Sequence, residues 1–173
     1  MFQSKTLIRY ETPGDLSAIR DVLLAAFPSD DEAHLVDALR ASNRLILSLV
    51  AEIYEGVVGH IAFSPVTLDS LREDAGGVGL APLAVLPEHQ HRGIGGQLIR
   101  AGLDACANMG KNFAVVLGDP DFYSRFGFIR ASRYQLGNEY GVEEEFMALA
   151  LCAGGITNIP GIIRYSPEFA LAV

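Results

Sequence analysis

At 173 residues, half of them hydrophobic, the chain can bury a real core and is not a disordered segment. Its formal net charge of −8 argues against nucleic acid as a main partner and favours a cationic substrate only weakly. No stretch approaches the roughly twenty apolar residues of a membrane span, and Met1 to Asp15 lacks the apolar centre of a signal peptide, so a cytoplasmic protein with no membrane partner is the expectation.

Thr6 to Tyr10 reads as the first strand. Thr12 and Pro13 supply the N-cap and first position of a helix, with Asp15 a favourable charge in its first turn. Leu16, Ile19, Leu23, Ala26 and Phe27 then recur at helical spacing. Ser29-x-x-Glu32 has the form of a capping box and opens a second helix carrying Leu35, Val36 and Leu39. Leu45 to Tyr54 and Val57 to Val66 read as strands joined by a tight hairpin at Glu55-Gly56. Asp69 to Gly77, charged and with paired glycines, is a hairpin connection or a mobile loop. Val78 to Leu86 is the next strand, and Ile94 to about Met109 a long amphipathic helix. Phe113 to Leu117 and Phe146 to Leu151 are later strands. No linker, low-complexity tract or repeat interrupts the chain, so residues 1–173 are expected to form one domain.

Between the strand ending at Leu86 and the long helix stands Pro87-Glu88-His89-Gln90-His91-Arg92-Gly93-Ile94-Gly95-Gly96. A strand, a short polar loop and a helix start of this kind present unpaired backbone N–H groups to an anion, with the positive end of the helix dipole behind them. Gly93 and Gly95 remove side chains that would hold a phosphate off the backbone. The loop is not a P-loop, because no Gly-Lys-Ser/Thr follows the glycines. It is a poor dinucleotide fingerprint, because Leu98 stands where a third small residue is wanted. Downstream, Phe113 to Phe128 reads as a buried strand, a turn at Gly118–Asp121, and a short helix capped by Asp119 and Pro120 and stopped by Gly127.

Gln90-x-x-Gly93-x-Gly95 resembles the pyrophosphate loop of the GNAT N-acetyltransferases, and Tyr123-x-x-x-Gly127-Phe128 resembles a second motif of that family. The element order β-α-α-β-β-β-α-β-α-β is similar over nearly the whole chain. Val58 to Val66 and the tail Gly161-Ile162-Ile163-Arg164-Tyr165 resemble the family's bacterial YhbS-like members. The resemblance implies an α/β (α+β) fold with a central mixed, mostly antiparallel sheet, splayed between the fourth and fifth strands and flanked by helices. It implies acetyl-CoA as co-substrate, with no metal. The backbone of Leu83 and Val85 would pair with the pantetheine arm. Gln90, His91, Arg92, Gly93, Ile94, Gly95 and Gly96 would hold the pyrophosphate. Tyr123 would protonate the CoA thiolate. Many members carry an asparagine seven residues before that tyrosine; here the position is Val116, inside a strand, and that residue's role does not transfer.

The chemistry sets its own demands. A lysine-like amine is neutral only about once in a few thousand at pH 7, a cost of roughly 4–5 kcal/mol unless a base or the site's field supplies the free amine. The thioester carbonyl must be polarised where the oxyanion develops. Asp31, Glu32, His60 and Glu145 are the candidate bases, although members of the family often use water chains instead. Arg92, Arg100 and Lys111 would have to create a local positive patch against the acidic whole. His89 and His91 have no third ligand nearby and read as loop residues, and His34 as a surface residue on a short helix. Cys106 and Cys152 read as buried reduced thiols. The acceptor is a small-molecule or protein amine, and the chain a monomer or homodimer. A non-catalytic acyl-CoA-binding sensor on the same fold is the alternative.

Overall fold

The short apolar strands and two amphipathic helices of the N-terminal half build one layer of helix on sheet. In the computed structural model, which describes residues 5–54, 56–71, 73–156 and 160–172, the chain packs as two compact units. The first takes in Met1–Phe63, Ala81–Gly102 and Glu168–Val173; the second takes in Ser64–Leu80 and Leu103–Pro167.

The first unit contains β1 (Leu7–Tyr10), α1 (Leu16–Ala26), α2 (Asp31–Ala41) and β2 (Leu47–Ile53). It also holds most of β3 (Gly56–Leu68), the second half of β4 (Gly77–Val85) and the opening turns of α3 (Ile94–Asn108). β1 pairs antiparallel with β2 from Leu7↔Glu52 to Tyr10↔Leu49. β2 pairs antiparallel with β3, with an irregularity at Ala51/Glu52. Ile19, Val22 and Leu23 of α1 and Ala33 and Val36 of α2 pack on Val50, Ala62 and Ala84 of the strands. Full burial of each larger aliphatic side chain in such a cluster stabilises by about 1.5–3 kcal/mol.

The helix starts differ from the sequence expectation in detail. Thr12 and Pro13 open a 3-10 turn, Pro13–Asp15, that runs into α1. Asp15 is buried, its carboxylate accepting from Thr12 N–H at 2.7 Å and from the two terminal guanidinium nitrogens of Arg9 at 2.7 and 2.9 Å. The Ser29–Glu32 capping box is not formed. Asp30 is the N-cap of α2, and Ser29 is spent on Asp31, donating to its carboxylate at 2.7 Å. An aspartate one position from the helix start offers the serine a closer partner than Glu32 does. The Glu55-Gly56 hairpin lies partly outside the described residues, since Glu55 is not among them.

The second unit continues with β5 (Phe113–Leu117), α4 (Pro120–Tyr123), β6 (Ile129–Arg130), β7 (Leu136–Asn138), β8 (Phe146–Ala150) and β9 (Gly161–Arg164). β6, β7 and β9, only two to four residues each, carry too little periodicity to be read from sequence. β5 lies parallel to β4 and antiparallel to β8, and β8 pairs with β6. β9 pairs with the end of β3 and with β7. The strand order runs β1-β2-β3-β4 in the first unit and β4-β5-β8-β6 in the second. This is the mixed, mostly antiparallel sheet with flanking helices that the sequence implied. The parallel β4–β5 ladder has three rungs, Gly77↔Phe113, Val78↔Ala114 and Gly79↔Val115.

The described part of Asp69 to Gly77 is stitched down. Asp69 Oδ1 accepts from Ile162 N–H at 2.8 Å, Asp74 Oδ1 from Gly76 N–H at 2.8 Å, and Asn112 Nδ2 donates to the Ala75 carbonyl at 3.0 Å. No helix among the described residues is long and apolar enough to cross a membrane.

Candidate functional site

In the first unit, β4 delivers the chain into a 3-10 turn, Pro87–His89, and then to the head of α3. Leu83 and Val85 are half-buried and alternate with buried Pro82 and Ala84. Leu86 N–H donates to the Val58 carbonyl of β3 at 2.8 Å, which fixes the end of the strand. The first helical bond of α3 across the loop boundary is Gln97 N–H to the Gly93 carbonyl at 3.1 Å. The N–H groups of Ile94, Gly95 and Gly96 therefore belong to the opening turn that helical bonding leaves over. Ile94 is fully buried and anchors that turn, whereas His91, Arg92 and Gly93 are exposed. His91 has φ +60° and Gly93 φ +81°. Two left-handed residues within three bend the loop sharply just before the head of α3. A Cβ on Gly93 would have nothing within 4 Å, so its glycine answers to backbone conformation and open approach, not to internal crowding. Gln90 Nε2 donates to the Val85 carbonyl at 3.0 Å. Arg100 is exposed on α3, as Arg92 is on the loop.

In the second unit, β5 runs to Gly118, whose N–H donates to the Glu145 carbonyl at 2.9 Å. Asp119 caps α4 as expected, its Oδ1 accepting from Asp121 N–H at 2.9 Å. That bond accounts for Asp119 structurally. A 3-10 turn, Ser124–Phe126, follows and ends at Gly127 with φ +90°. Tyr123 is 9% exposed. Its ring meets Phe122 and Phe128 edge-on, with centroids 5.0 and 5.8 Å away. It covers the backbone at Gly118, where a Cβ would overlap the ring at Cε2. Burial pushes the Tyr123 phenol up to about 12, so it is protonated throughout the neutral range. Val116 is buried inside β5, away from any helix start.

The base candidates fall on different elements. Asp31 is bound to Ser29, Glu145 is exposed, and Glu32 has a buried Oε2 with no partner among the described residues. His60 is fully buried on β3, its Nε2 2.8 Å from Ser48 Oγ. Ser48 gives its one proton to Glu11, which Arg40 grips through two bonds of 3.0 Å. His60 Nε2–H is then the donor to Ser48, and Nδ1 is left as a bare acceptor without a partner among the described residues. Burial lowers the His60 pKa to about 4. A neutral imidazole locked into this chain is a structural group. The sequence did not signal the Glu11–Ser48–His60 chain, because it joins side chains from three segments distant in sequence. Cys106 is buried, and burial pushes its thiol up to about 12. Cys152 is exposed, not buried, because β8 ends two residues before it. Among the described residues no group of three or more His, Cys, Asp or Glu side chains is placed to hold a metal ion.

Known proteins resemble the chain in sequence and in fold. Residues 45–130 match the family model described as "Acetyltransferase (GNAT) domain". The chain is 41% identical over 165 residues to the uncharacterized N-acetyltransferase YhbS of Escherichia coli K12, covering 94% of this chain and 98% of that one. The crystal structure of E. coli YhbS in complex with CoA superposes with a TM-score of 0.92 at 39% identity, over 97% of this chain and 93% of that one. A GNAT family acetyltransferase from Brucella melitensis, in complex with acetyl-CoA, gives 0.79 at 40% identity over 96% of this chain and 99% of that one. The chain belongs to the GNAT family of acetyltransferases.

Proposed function

We propose that the protein transfers an acetyl group from acetyl-CoA to a primary amine by direct attack on the thioester. The observation that carries this reading is the curled loop from Gln90 to Gly96, with left-handed His91 and Gly93 leading into the unpaired first turn of α3. Those N–H groups suit a pyrophosphate, and the complexes of the relatives with CoA and acetyl-CoA support CoA as the ligand. The backbone of Leu83 and Val85 pairs with pantetheine, and the N–H groups from Gly93 to Gly96 take the pyrophosphate, with Gln90, His91 and Arg92 lining the loop.

In the transfer, the amine nitrogen bonds to the thioester carbon, the carbon–sulfur bond breaks, and the electron pair leaves on sulfur. Tyr123 donates a hydrogen bond to that sulfur and then its proton. A phenol near 12 is a weaker acid than a thiol near 8.5, so full transfer runs uphill. The hydrogen bond therefore acts on the growing charge, and the proton lost by the new amide nitrogen restores the phenol through water. The acceptor is a small-molecule or protein amine.

A screen for CoA release with classes of amine, run beside binding of acetyl-CoA, tests the reading. Release above the hydrolysis blank with at least one amine is expected. Tight acetyl-CoA binding with no release across all classes would favour a non-catalytic sensor.

A further inference from the structure

The second unit holds, by itself, an open cavity of about 330 Å³ beside the start of β8. Small-ligand pockets run from roughly 300 to 1,000 Å³. Buried Leu136 of β7 and Phe146 of β8, with half-buried Ile162 of β9, form its apolar wall. The exposed side chains of Ser132, Gln135 and Glu143 line it too, and none of the three makes a hydrogen bond or ion pair among the described residues. Asn138 fixes the remaining wall. Its Oδ1 accepts from Tyr140 N–H at 3.0 Å and from Val142 N–H at 3.3 Å, and its Nδ2 donates to the Val142 carbonyl.

Glu143 is the one charged side chain in the lining. Its neighbour Glu144 lies 3.8 Å from Arg130, and Glu139 lies 3.6 Å from Arg164, whereas Glu143 has no cation beside it among the described residues. Arg133, exposed on the turn before β7, is not part of the lining. The cavity stands close to Tyr123 within the same unit. Phe146 pairs with Leu117, the Glu145 carbonyl accepts from Gly118 N–H at 2.9 Å, and the Tyr123 ring covers the backbone of Gly118. One strand spacing and one residue along the chain, roughly 6 Å, separate the backbone of Phe146 from the backbone beneath that ring.

We propose that this cavity binds a second, non-reacting ammonium group of the acceptor, so that the substrate class is a diamine or polyamine with an aliphatic spacer. The inference rests on the acetyltransferase reading above, in which Tyr123 meets the thioester sulfur. The nitrogen that attacks must be neutral, and a carboxylate beside an ammonium holds the proton on it. Glu143 is therefore the wrong partner for the attacking nitrogen and a fitting one for a cation at the far end of the molecule. The spacer lies against Leu136, Phe146 and Ile162, and Ser132 and Gln135 offer oxygen acceptors to the remaining N–H bonds. One nitrogen takes the acetyl group, while the other keeps its proton and its charge throughout. An aliphatic monoamine covers the same apolar wall but leaves Glu143 without a cation.

Initial rates of CoA release by the full chain, with cadaverine and spermidine set against pentylamine, test this. An exposed carboxylate contributes modestly, so kcat/KM per nitrogen is expected to be about fivefold higher for either polyamine than for pentylamine, through KM. Glu143→Gln should raise the KM for cadaverine about fivefold more than the KM for pentylamine. Glu144→Gln removes a neighbouring exposed carboxylate outside the lining and should not do so. Equal kcat/KM per nitrogen for cadaverine and pentylamine, an equal effect of Glu143→Gln on both amines, or the same effect from Glu144→Gln overturns the inference. Acetylation of pentylamine but not of the polyamines overturns it and leaves the acetyltransferase reading standing. Release with no amine of any class overturns that reading, and this inference with it.

Discussion

The side-chain amide of Gln90 donates to the carbonyl of Val85 across 3.0 Å, tying the loop before α3 to the end of the strand that precedes it. One residue read from sequence as a pyrophosphate contact thus holds another read as a pantetheine contact. The bond pre-organises the loop, and pre-organisation lowers the cost of binding. Gln90→Ala is expected to weaken acetyl-CoA binding by about three- to tenfold, read by calorimetry, with little change in melting temperature. Tighter binding would show instead that the bond competes with the ligand for the Val85 carbonyl.

Gly93→Val introduces a β-branched residue at φ +81°, with no crowding around the new side chain. Strain of about 1–2 kcal/mol is expected, and with it a melting temperature a few degrees lower. The side chain also covers the N–H groups, so the rise in melting temperature on adding acetyl-CoA should vanish. Gly110→Val is the matched control, since Gly110 has φ +79° and equally open surroundings outside the loop. It should lose stability and keep the acetyl-CoA shift; loss of the shift in both variants would make it a stability effect.

Tyr123→Phe keeps the edge-on packing with Phe122 and Phe128 and removes only the hydroxyl. With an accepted amine, turnover should fall by about a hundredfold or more at unchanged acetyl-CoA affinity. Gly118→Ala places a methyl against Cε2 of the same ring and should lower turnover by displacing it. Unchanged single-turnover rates in both variants would reduce Tyr123 to a packing residue.

His60 makes stability depend on pH in a direction that can be worked out. Its folded pKa of about 4 lies below the unfolded value near 6.5, so between these values the unfolded chain binds more protons. Stability therefore rises with pH from about 4 to 6.5 and is flat above, with about 3 kcal/mol as the upper limit of the effect. Glu11, 4.0 Å away, opposes the depression and Arg40 adds to it. Denaturant unfolding of the parent and His60→Gln at pH 4.5 and 7 reads the difference. The variant should be less pH-dependent over this window, and identical slopes would remove His60 as the cause.

Asp15 acts in the opposite sense. Bonds from Arg9 hold its carboxyl well below the ordinary range, so its contribution is full above about pH 4 and lost as pH falls further. The gap in melting temperature between the parent and Asp15→Asn should be constant from pH 5 to 7 and narrow progressively below pH 4. A gap as wide at pH 2.5 as at pH 7 would place the effect in packing instead of charge.

The sequence by itself determined everything that is local and repeating. Apolar alternation and helical spacing marked β1 to β5, β8, α1, α2 and α3. Gly127 and Asp119 announced a left-handed stop and an N-cap that a φ value and a hydrogen bond bear out. The strand–turn–helix from β4 through the Gln90–Gly96 loop to α3 was legible for the same reason, since it is contiguous in sequence. Tertiary structure alone decided what distant residues do to one another. Cys152 fell past the last rung of β8 and stayed exposed. His60 became neutral through burial, beside Ser48 from another strand, and Tyr165 settled on Gly79. Periodicity reports which face of an element turns inward, but the identity of the atom waiting there is set by packing between segments far apart in sequence.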